Sequence, residues 1–465
     1  MKAPGRNEYI LVAALAFVAV STALYNTYSL DYFGVHFAGD RFGMLVLGEI
    51  SSGRYTNVAF LRLFQWIRLD LQDWYPLFVA ATGVSAGLFL WELCQRYLRL
   101  NAGIWAFGAA AAAFLFSGPM LDLLSFREVI HHPLLVFLVG YAYLRAHEIP
   151  NRWLRAITQG AAAILMFGTY QPAAVMLFVL AVLKAMLDAE DDLPVWREFL
   201  TTCVMLLASA ALYMVLKGGI ERAFHLDVTR AMMDFHNGGS VKARVVAHTK
   251  ALWALYNPAG TTYRWSHVNL ALLAAMAWLA WHARNLAGAF FVALMVGVSQ
   301  SPMNALLVDY WPSLRSSFYI GLIPPVVALY FMKHSNRRLP VYALALLWAF
   351  ASASTLLAMH KVREQDALLA REIAAAVRGT GEPVKAMRMP ADWNLIIKDY
   401  YPGRDNAPMD MGAPALYAPW TAAPFLRHET GLVLSYAGRI ECAAPGPAPR
   451  VRVTVEDGVA NVCYR

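Results

Sequence analysis

Long apolar runs alternate with short polar segments along most of this 465-residue chain. A helix closes its backbone hydrogen bonds internally, which is why an apolar run can lie in lipid as a helix. Because a helix needs ~20 residues to cross the hydrocarbon, the pattern predicts an α-helical polytopic membrane protein with about eleven transmembrane helices. The predicted helices begin near Tyr9, Trp74, Ala102, Val129, Ala156, Ala173, Phe199, His267, Leu286, Ser316 and Val341.

The composition agrees with a membrane protein. Hydrophobic residues make up 59% of the chain and charged residues only 15%, whereas about 25% charged residues is usual in soluble domains. These values exclude a disordered chain and a small disulfide-stabilised protein. The net charge of +8 comes from basic residues in short loops and forms no single basic face, so we expect no nucleic-acid partner.

The distribution of lysine and arginine predicts the orientation. With the N-terminus in the cytoplasm, most basic residues of the short segments lie on the cytoplasmic side, as the positive-inside rule requires. The run from Tyr9 to Tyr28 has no small-residue cleavage site, so we interpret it as an uncleaved anchor. Three segments then lie outside, namely the loops 29–73 and 217–266 and the tail that starts at His360.

The tail has a different composition from the membrane part, because it is rich in charged residues and proline. We therefore predict a membrane domain over 1–359 and a small soluble α+β domain over 360–465. Val362 to Arg378 has helical character, and the alternation around Asp457-Gly458 predicts a β-hairpin. Cys442 and Cys463 both lie in this tail and are candidates for a disulfide; two buried free thiols are the alternative.

The first outer loop contains the candidate chemistry. Asp31 follows the first span at the membrane surface, where an ionisable group is costly and suggests a function. Asp40, Glu49 and Arg54 follow it, and the apolar stretch from Tyr55 to Leu69 predicts a helix lying on the outer leaflet. An acid in this position can equally be a helix cap or part of a loop ion pair.

These features resemble a known family. An acid after the first span, followed by Gly53-Arg54-Tyr55 and an apolar helical stretch, is similar to the bacterial O-antigen (serotype-converting) glucosyltransferase II family, in the polytopic GT-C glycosyltransferase superfamily. Further similarity lies in Leu124-Ser-Phe-Arg-Glu128, Tyr170-Gln-Pro172 and Trp311-Pro-Ser-Leu-Arg315. The chain departs from the family at its paired acids, because it has Asp31-Tyr32 and places the second acid at Asp40.

The resemblance implies an inverting transferase on the periplasmic side of the bacterial inner membrane. The donor would be a polyprenyl-phosphate sugar, expected to be glucose, and the acceptor a surface polysaccharide such as O-antigen. A donor-synthesising transferase and a flippase would be its functional partners. The general base would be Asp31 or, second, Asp40. The donor phosphate would bind Arg54, Arg127, His131, His132 and Arg315, and the sugar or acceptor would bind Glu49, Tyr170, Gln171 and Trp311.

Simpler explanations exist for several of these residues. His131-His132-Pro133 is also typical of a plain helix start, Arg315 of a headgroup anchor, and Tyr170-Gln-Pro172 of a tight turn. No metal-ligand spacing is present, so we predict no metal site, although a divalent metal is compatible with the chemistry. The competing functions are a transporter or flippase of lipid-linked saccharides, and a GT-C enzyme with another sugar or acceptor. Acids at the outer surface rather than at mid-membrane favour the transferase.

Overall fold

The computed structural model describes residues 14, 41–68, 74–124, 130–188, 195–226, 241–256, 266–282, 286–299, 302, 314–335, 337–390, 416, 419–442 and 451–464. It divides into two compact units, the first containing Leu45–Leu124 and Val129–Ala353 and the second formed mainly by Ser354–Arg465. The predicted first span from Tyr9 lies outside the described residues, apart from residue 14.

The described part of the first unit is helical. Its helices are α1 (Arg41–Ser51), α2 (Tyr55–Trp66), α3 (Tyr75–Trp91, continued by a π-helical turn at Glu92–Tyr97), α4 (Ile104–Leu115), α5 (Gly118–Leu124), α6 (His131–Ala146), α7 (Arg152–Thr169), α8 (Gln171–Asp188), α9 (Val195–Ala223), α10 (Val241–Tyr256), α11 (Ser266–His282), α12 (Leu286–Ser299), a 3₁₀ segment (Leu314–Leu322), α13 (Ile323–Ser335) and α14 (Leu339–Gly379). The predicted runs that fall on described residues coincide with these helices. The helices α1 and α10, inside the predicted outer loops, were not predicted.

Three stretches of helix are long and apolar enough to cross a membrane: Pro76–Tyr97, Gln171–Asp188 and Val195–Ala223. Four further apolar helices are shorter, and Ile104–Leu115 has only twelve residues, which corresponds to about 18 Å of helix. The described residues thus establish a helical, membrane-like chain with three candidate spans. The figure of about eleven spans rests on hydrophobicity alone.

The core of the first unit is aromatic and tightly packed. Phe89 on α3 lies 5.7 Å, between ring centroids, from Phe137 on α6, and both side chains are fully buried. Gly140 allows this approach, because a Cβ at that position would lie 3.0 Å from the Phe89 ring. In contrast, α9 exposes large apolar side chains such as Leu207 and Val215, as expected for a surface that faces lipid.

The second unit is a small α+β fold. Its four-stranded sheet has the order β2-β1-β4-β3, with strands β1 (Ala386–Pro390), β2 (Ser435–Ile440), β3 (Val451–Glu456) and β4 (Val459–Tyr464). β1 pairs in parallel with β2 and β4, while β3 and β4 are antiparallel. Ile373 of α14 and Phe425 of α15 (Pro419–Thr430) are buried in the core that includes Met387 and Val462.

Two local predictions for the tail are confirmed. The hairpin turns at Asp457-Gly458, where both residues have positive φ angles of 52° and 73°, as a two-residue primed turn requires. The predicted helix Val362–Arg378 lies within α14. The predicted domain boundary at 359/360 therefore falls inside a helix. Cys442 and Cys463 form a disulfide.

Candidate functional site

A glycine turn brings two candidate residues of the first loop together. Gly53 follows α1 with a left-handed φ of +65°, a conformation that glycine adopts without steric cost. Its N–H donates to the Ile50 carbonyl, and the N–H of Arg54 donates to the Glu49 carbonyl, both at 2.8 Å. The turn therefore places Glu49 in the last turn of α1 beside Arg54 at the start of α2.

The Glu49 carboxylate is buried, and each of its oxygens has its own partners. Oε1 lies 2.5 Å from Nε2 of His132 and 3.3 Å from Nε2 of His131. Oε2 accepts a hydrogen bond of 3.0 Å from the Asn57 amide and lies 3.7 Å from a terminal guanidinium nitrogen of Arg54. We call these five residues the Glu49 cluster.

The two histidines reach Glu49 from the start of α6. Pro133 stands in the first turn of that helix, where its missing N–H costs no hydrogen bond. Both imidazoles are buried and lie against aromatic rings. The Phe60 ring stacks on His131 with centroids 6.1 Å apart, and the Tyr170 ring stacks on His132 at 6.0 Å.

Helix α7 supports the cluster from the other side. The Asn57 amide that binds Glu49 also donates to the Thr169 carbonyl at 2.9 Å. Thr56 donates to the Leu165 carbonyl at 3.0 Å, and a Cβ at Gly168 would overlap the Thr56 side chain. The small residue in α7 therefore lets α2 approach closely enough for Asn57 to bridge the two helices.

The turn between α7 and α8 completes the site. Tyr170 lies between the two helices, and the guanidinium carbon of Arg54 sits 5.2 Å from the centroid of its ring, within the range of a cation–π contact. Gln171 donates its amide to the Ser52 carbonyl at 2.9 Å. These contacts fix the position of Arg54, whose side chain remains 22% exposed.

A second polar group surrounds the glycine turn. The Tyr213 hydroxyl donates to the Gly53 carbonyl. Lys217 forms an ion pair of 2.7 Å with Glu221, which also accepts a hydrogen bond of 3.1 Å from the Tyr55 hydroxyl. Through these contacts helix α9 holds the turn that carries Arg54.

The polar groups that contact Glu49 determine the pKa of its carboxyl. Burial alone raises the pKa of the Glu49 carboxyl, but His132, His131 and Arg54 more than offset this effect and hold the pKa well below the ordinary value of a glutamate. Glu49 is therefore a carboxylate at neutral pH. In this form it can orient imidazole N–H groups or bind a cation. Together with His131 and His132 it offers three ligand atoms within 4.8 Å of one another.

Comparison of the chain with protein-family models, with curated proteins and with solved structures finds no match. The family resemblance therefore remains an expectation, and the site must be interpreted from its own geometry.

The structure brings together a subset of the residues predicted from the sequence. Glu49, Arg54, His131, Tyr170 and Gln171 meet at the site described above. Asp31, Asp40, Arg127 and Trp311 lie outside the described residues, and of Arg315 only the backbone, in the 3₁₀ segment, is described.

Sequence reasoning missed one member of the site and one combination of its members. Asn57 was not singled out, although a polar side chain in the apolar stretch from Tyr55 is a usable signal. The combination of Glu49 with the histidine pair was also missed, because the prediction of no metal site was based on ligand spacing along the chain. Glu49 and the nearer histidine, His131, are separated by 82 positions in the chain.

Proposed function

We propose that the chain is a multi-pass membrane glycosyltransferase that moves a sugar, expected to be glucose, from a polyprenyl-phosphate donor to a surface polysaccharide. The observation that carries the proposal is the Glu49 cluster. Residues that the family resemblance names for donor and acceptor binding come from two separate parts of the chain and meet in this cluster. Tyr170, from a third part, lies against Arg54. Buried ionisable groups in an apolar helical protein are expensive and usually serve function.

Arg54 is suited to bind the phosphate of the donor. Its guanidinium is held between the Tyr170 ring and Glu49, yet its Nε has no hydrogen-bond partner among the described residues. A planar guanidinium can donate two parallel hydrogen bonds to phosphate oxygens. This favours a phosphate-bearing substrate over a neutral sugar at this position.

The proposed reaction is a direct displacement. A hydroxyl oxygen of the acceptor forms a bond to the anomeric carbon while the bond from that carbon to the phosphate oxygen breaks. The hydroxyl proton passes to the carboxylate of Asp31 or Asp40, and the electron pair leaves with the polyprenyl phosphate. One displacement inverts the anomeric configuration. Arg54 stabilises the charge that builds up on the leaving phosphate.

The proposed setting follows from the same interpretation. About eleven helices cross the bacterial inner membrane, with the N-terminus in the cytoplasm and the C-terminal unit in the periplasm. Nucleotide sugars are absent from the periplasm, so a lipid-linked donor is needed. A second transferase that makes this donor and a flippase that delivers it are the expected functional partners.

The test is sugar transfer in isolated membranes. Synthetic polyprenyl-phosphate glucose with a labelled sugar is supplied to membranes that contain the acceptor polysaccharide. Arg54→Gln is expected to abolish labelling. Of Asp31→Asn and Asp40→Asn, the variant that removes the general base is also expected to abolish it. Arg62→Gln is the matched control, because Arg62 lies on the same helix but is exposed and pairs only with Gln65 among the described residues. Full transfer in all four variants, or none in the wild type, would reject the proposal.

A further inference from the structure

We infer that Glu49, His131 and His132 form a binding site for one divalent transition-metal ion of the Zn²⁺ type. The three side chains come from the end of α1 and the start of α6. Two imidazoles and one carboxylate are the ligand set of several mononuclear zinc sites that keep a further position open. Mg²⁺ and Ca²⁺ are disfavoured, because they prefer sites made only of oxygen ligands.

Two of the three ligand separations fit a single ion after a small adjustment, and all three ligand atoms lie within 4.8 Å of one another. Zn²⁺ binds imidazole nitrogen and carboxylate oxygen at about 2.0–2.1 Å, so two tetrahedral ligands lie about 3.3 Å apart. The Nε2 of His131 is 3.3 Å from Oε1 of Glu49, which matches this separation. The Nε2 of His132 is 2.5 Å from the same oxygen and must move outward by less than about 1 Å.

The surroundings of Glu49 are those of an oriented metal ligand. Only Oε1 faces the two imidazoles, while Oε2 is held by Asn57 and lies near Arg54. Asn57 is itself fixed by the Thr169 carbonyl. Hydrogen bonds to the second oxygen of a carboxylate ligand fix its direction and tune its basicity, as outer partners do in known metal sites.

His131 supplies an independent indication of a missing ligand. Its side chain is fully buried, and neither ring nitrogen has a hydrogen-bond partner among the described residues. Although Nε2 is close to Glu49, the geometry is not that of a hydrogen bond. A buried polar group without a partner carries a free-energy cost. A metal ion bound by Nε2 removes this cost for the nitrogen that points at the carboxylate.

A bound ion would also give the site a role in transfer. Three protein ligands leave a position for a phosphate oxygen, beside Arg54 at the other oxygen of Glu49. The ion would then share with Arg54 the charge on the leaving phosphate. This last step rests on the proposed function; the metal site itself does not.

The experiment measures metal in the purified full-length protein. The chain is purified in detergent on a tag without histidine, stripped with chelator and titrated with Zn²⁺ or Co²⁺ alone. About one tightly bound ion per chain is expected, with the visible ligand-field absorption of a nitrogen- and oxygen-bound Co²⁺. His131→Gln, His132→Gln and Glu49→Gln should each weaken binding by more than 10-fold, and Asn57→Ala by about 10–100-fold.

His147→Gln is the matched control, because His147 also lies beside a carboxylate, Glu198 at 3.5 Å, on a different part of the first unit. It should bind like the wild type. Only variants that elute as a single monodisperse peak in gel filtration are taken as folded. If a ligand variant fails this criterion, Asn57→Ala still tests the site, because it keeps all three ligands. Binding that is absent from the wild type, or unchanged in the folded cluster variants, overturns the site.

The two proposals fail separately. Transfer by a metal-free wild-type protein that binds no ion would overturn the metal site and leave the transferase intact. One bound ion per chain, lost in the cluster variants, in a protein without transfer activity would support the metal site and overturn the proposed function.

Discussion

Asn57 holds the Glu49 cluster together, and its replacement is expected to destabilise the protein. Its side chain is fully buried on α2 and its amide donates to Glu49 and to the Thr169 carbonyl. Leucine has a similar branched shape but no donor. Asn57→Leu therefore removes both hydrogen bonds without opening a large cavity.

The expected loss can be estimated from these two contacts. A hydrogen bond to a charged group contributes about 1.5–3 kcal/mol, and one between neutral groups about 0.5–1.5 kcal/mol. The Asn57→Leu variant should therefore lose about 2–4.5 kcal/mol of unfolding free energy. The Glu49 carboxylate loses one hydrogen bond in this variant, but it keeps its contacts with Arg54 and the histidines.

Asn57→Asp is the sharper variant, because it adds a second acid where the amide nitrogen lies 3.0 Å from Glu49. Two like charges at that distance repel by about 5 kcal/mol at an effective dielectric constant of about 20. We expect Asn57→Asp to be less stable than Asn57→Leu at neutral pH. The difference should shrink in acid, where one of the two carboxyls takes up a proton.

Equilibrium unfolding in mixed detergent micelles, followed by tryptophan fluorescence, measures both variants over a range of pH. Wild-type stability in Asn57→Leu would refute the assigned role of the two hydrogen bonds. An aspartate variant as stable as the leucine variant at neutral pH would refute the expected repulsion between two ionised carboxylates at this position.

Substitutions at three other local features are tested by the same unfolding measurement. Asn151 caps α7 through two backbone N–H groups, so Asn151→Ala should cost about 1 kcal/mol and Asn151→Gly only a few tenths. Gly53→Ala should cost about 1–2 kcal/mol or more, because its φ is left-handed and a Cβ there would lie 2.5 Å from Cε of Lys217. Gly48→Ala, in a helix with open space around it, should be neutral or stabilising, and equal effects of the two changes would refute these reasons. Cys442→Ser should cost about 3 kcal/mol, since the disulfide closes a separation of 21 residues, and adding Cys463→Ser should cost little more.

The apolar runs predicted the positions of the long helices, but short helices and long-range strand pairing could not be predicted from them. Hydrophobicity located α3, α8 and α9, which are also the stretches with candidate spans. It missed α1 because Arg41–Ser51 is too short to be recognised as a span. The hairpin at Asp457-Gly458 was predictable because its turn is specified by two adjacent residues. The parallel pairing of β1 with β2 and β4 was not, since it joins segments far apart in the chain.

In the candidate site too, the individual residues could be predicted from the sequence, whereas the contacts between distant segments could not. The sequence singled out Glu49, Arg54 and the histidines individually, because polar groups stand out in an apolar chain. It did not reveal that one carboxylate joins them, because that contact depends on how α1 and α6 pack. Nor did it reveal which oxygen of Glu49 faces which partner. These contacts bear on whether Glu49 binds a sugar or a metal ion.

The energetics of the Glu49 cluster argue that it has a function rather than a structural role. Taking a carboxylate out of water costs several kcal/mol, and its neighbours often only balance that cost. Well-packed apolar side chains at the same positions would often stabilise the first unit at least as well. The cluster also leaves Nε of Arg54 and both ring nitrogens of His131 without hydrogen-bond partners among the described residues. A group built only for stability would satisfy these atoms, whereas the proposed site leaves Nε of Arg54 for an anion and Nε2 of His131 for a cation.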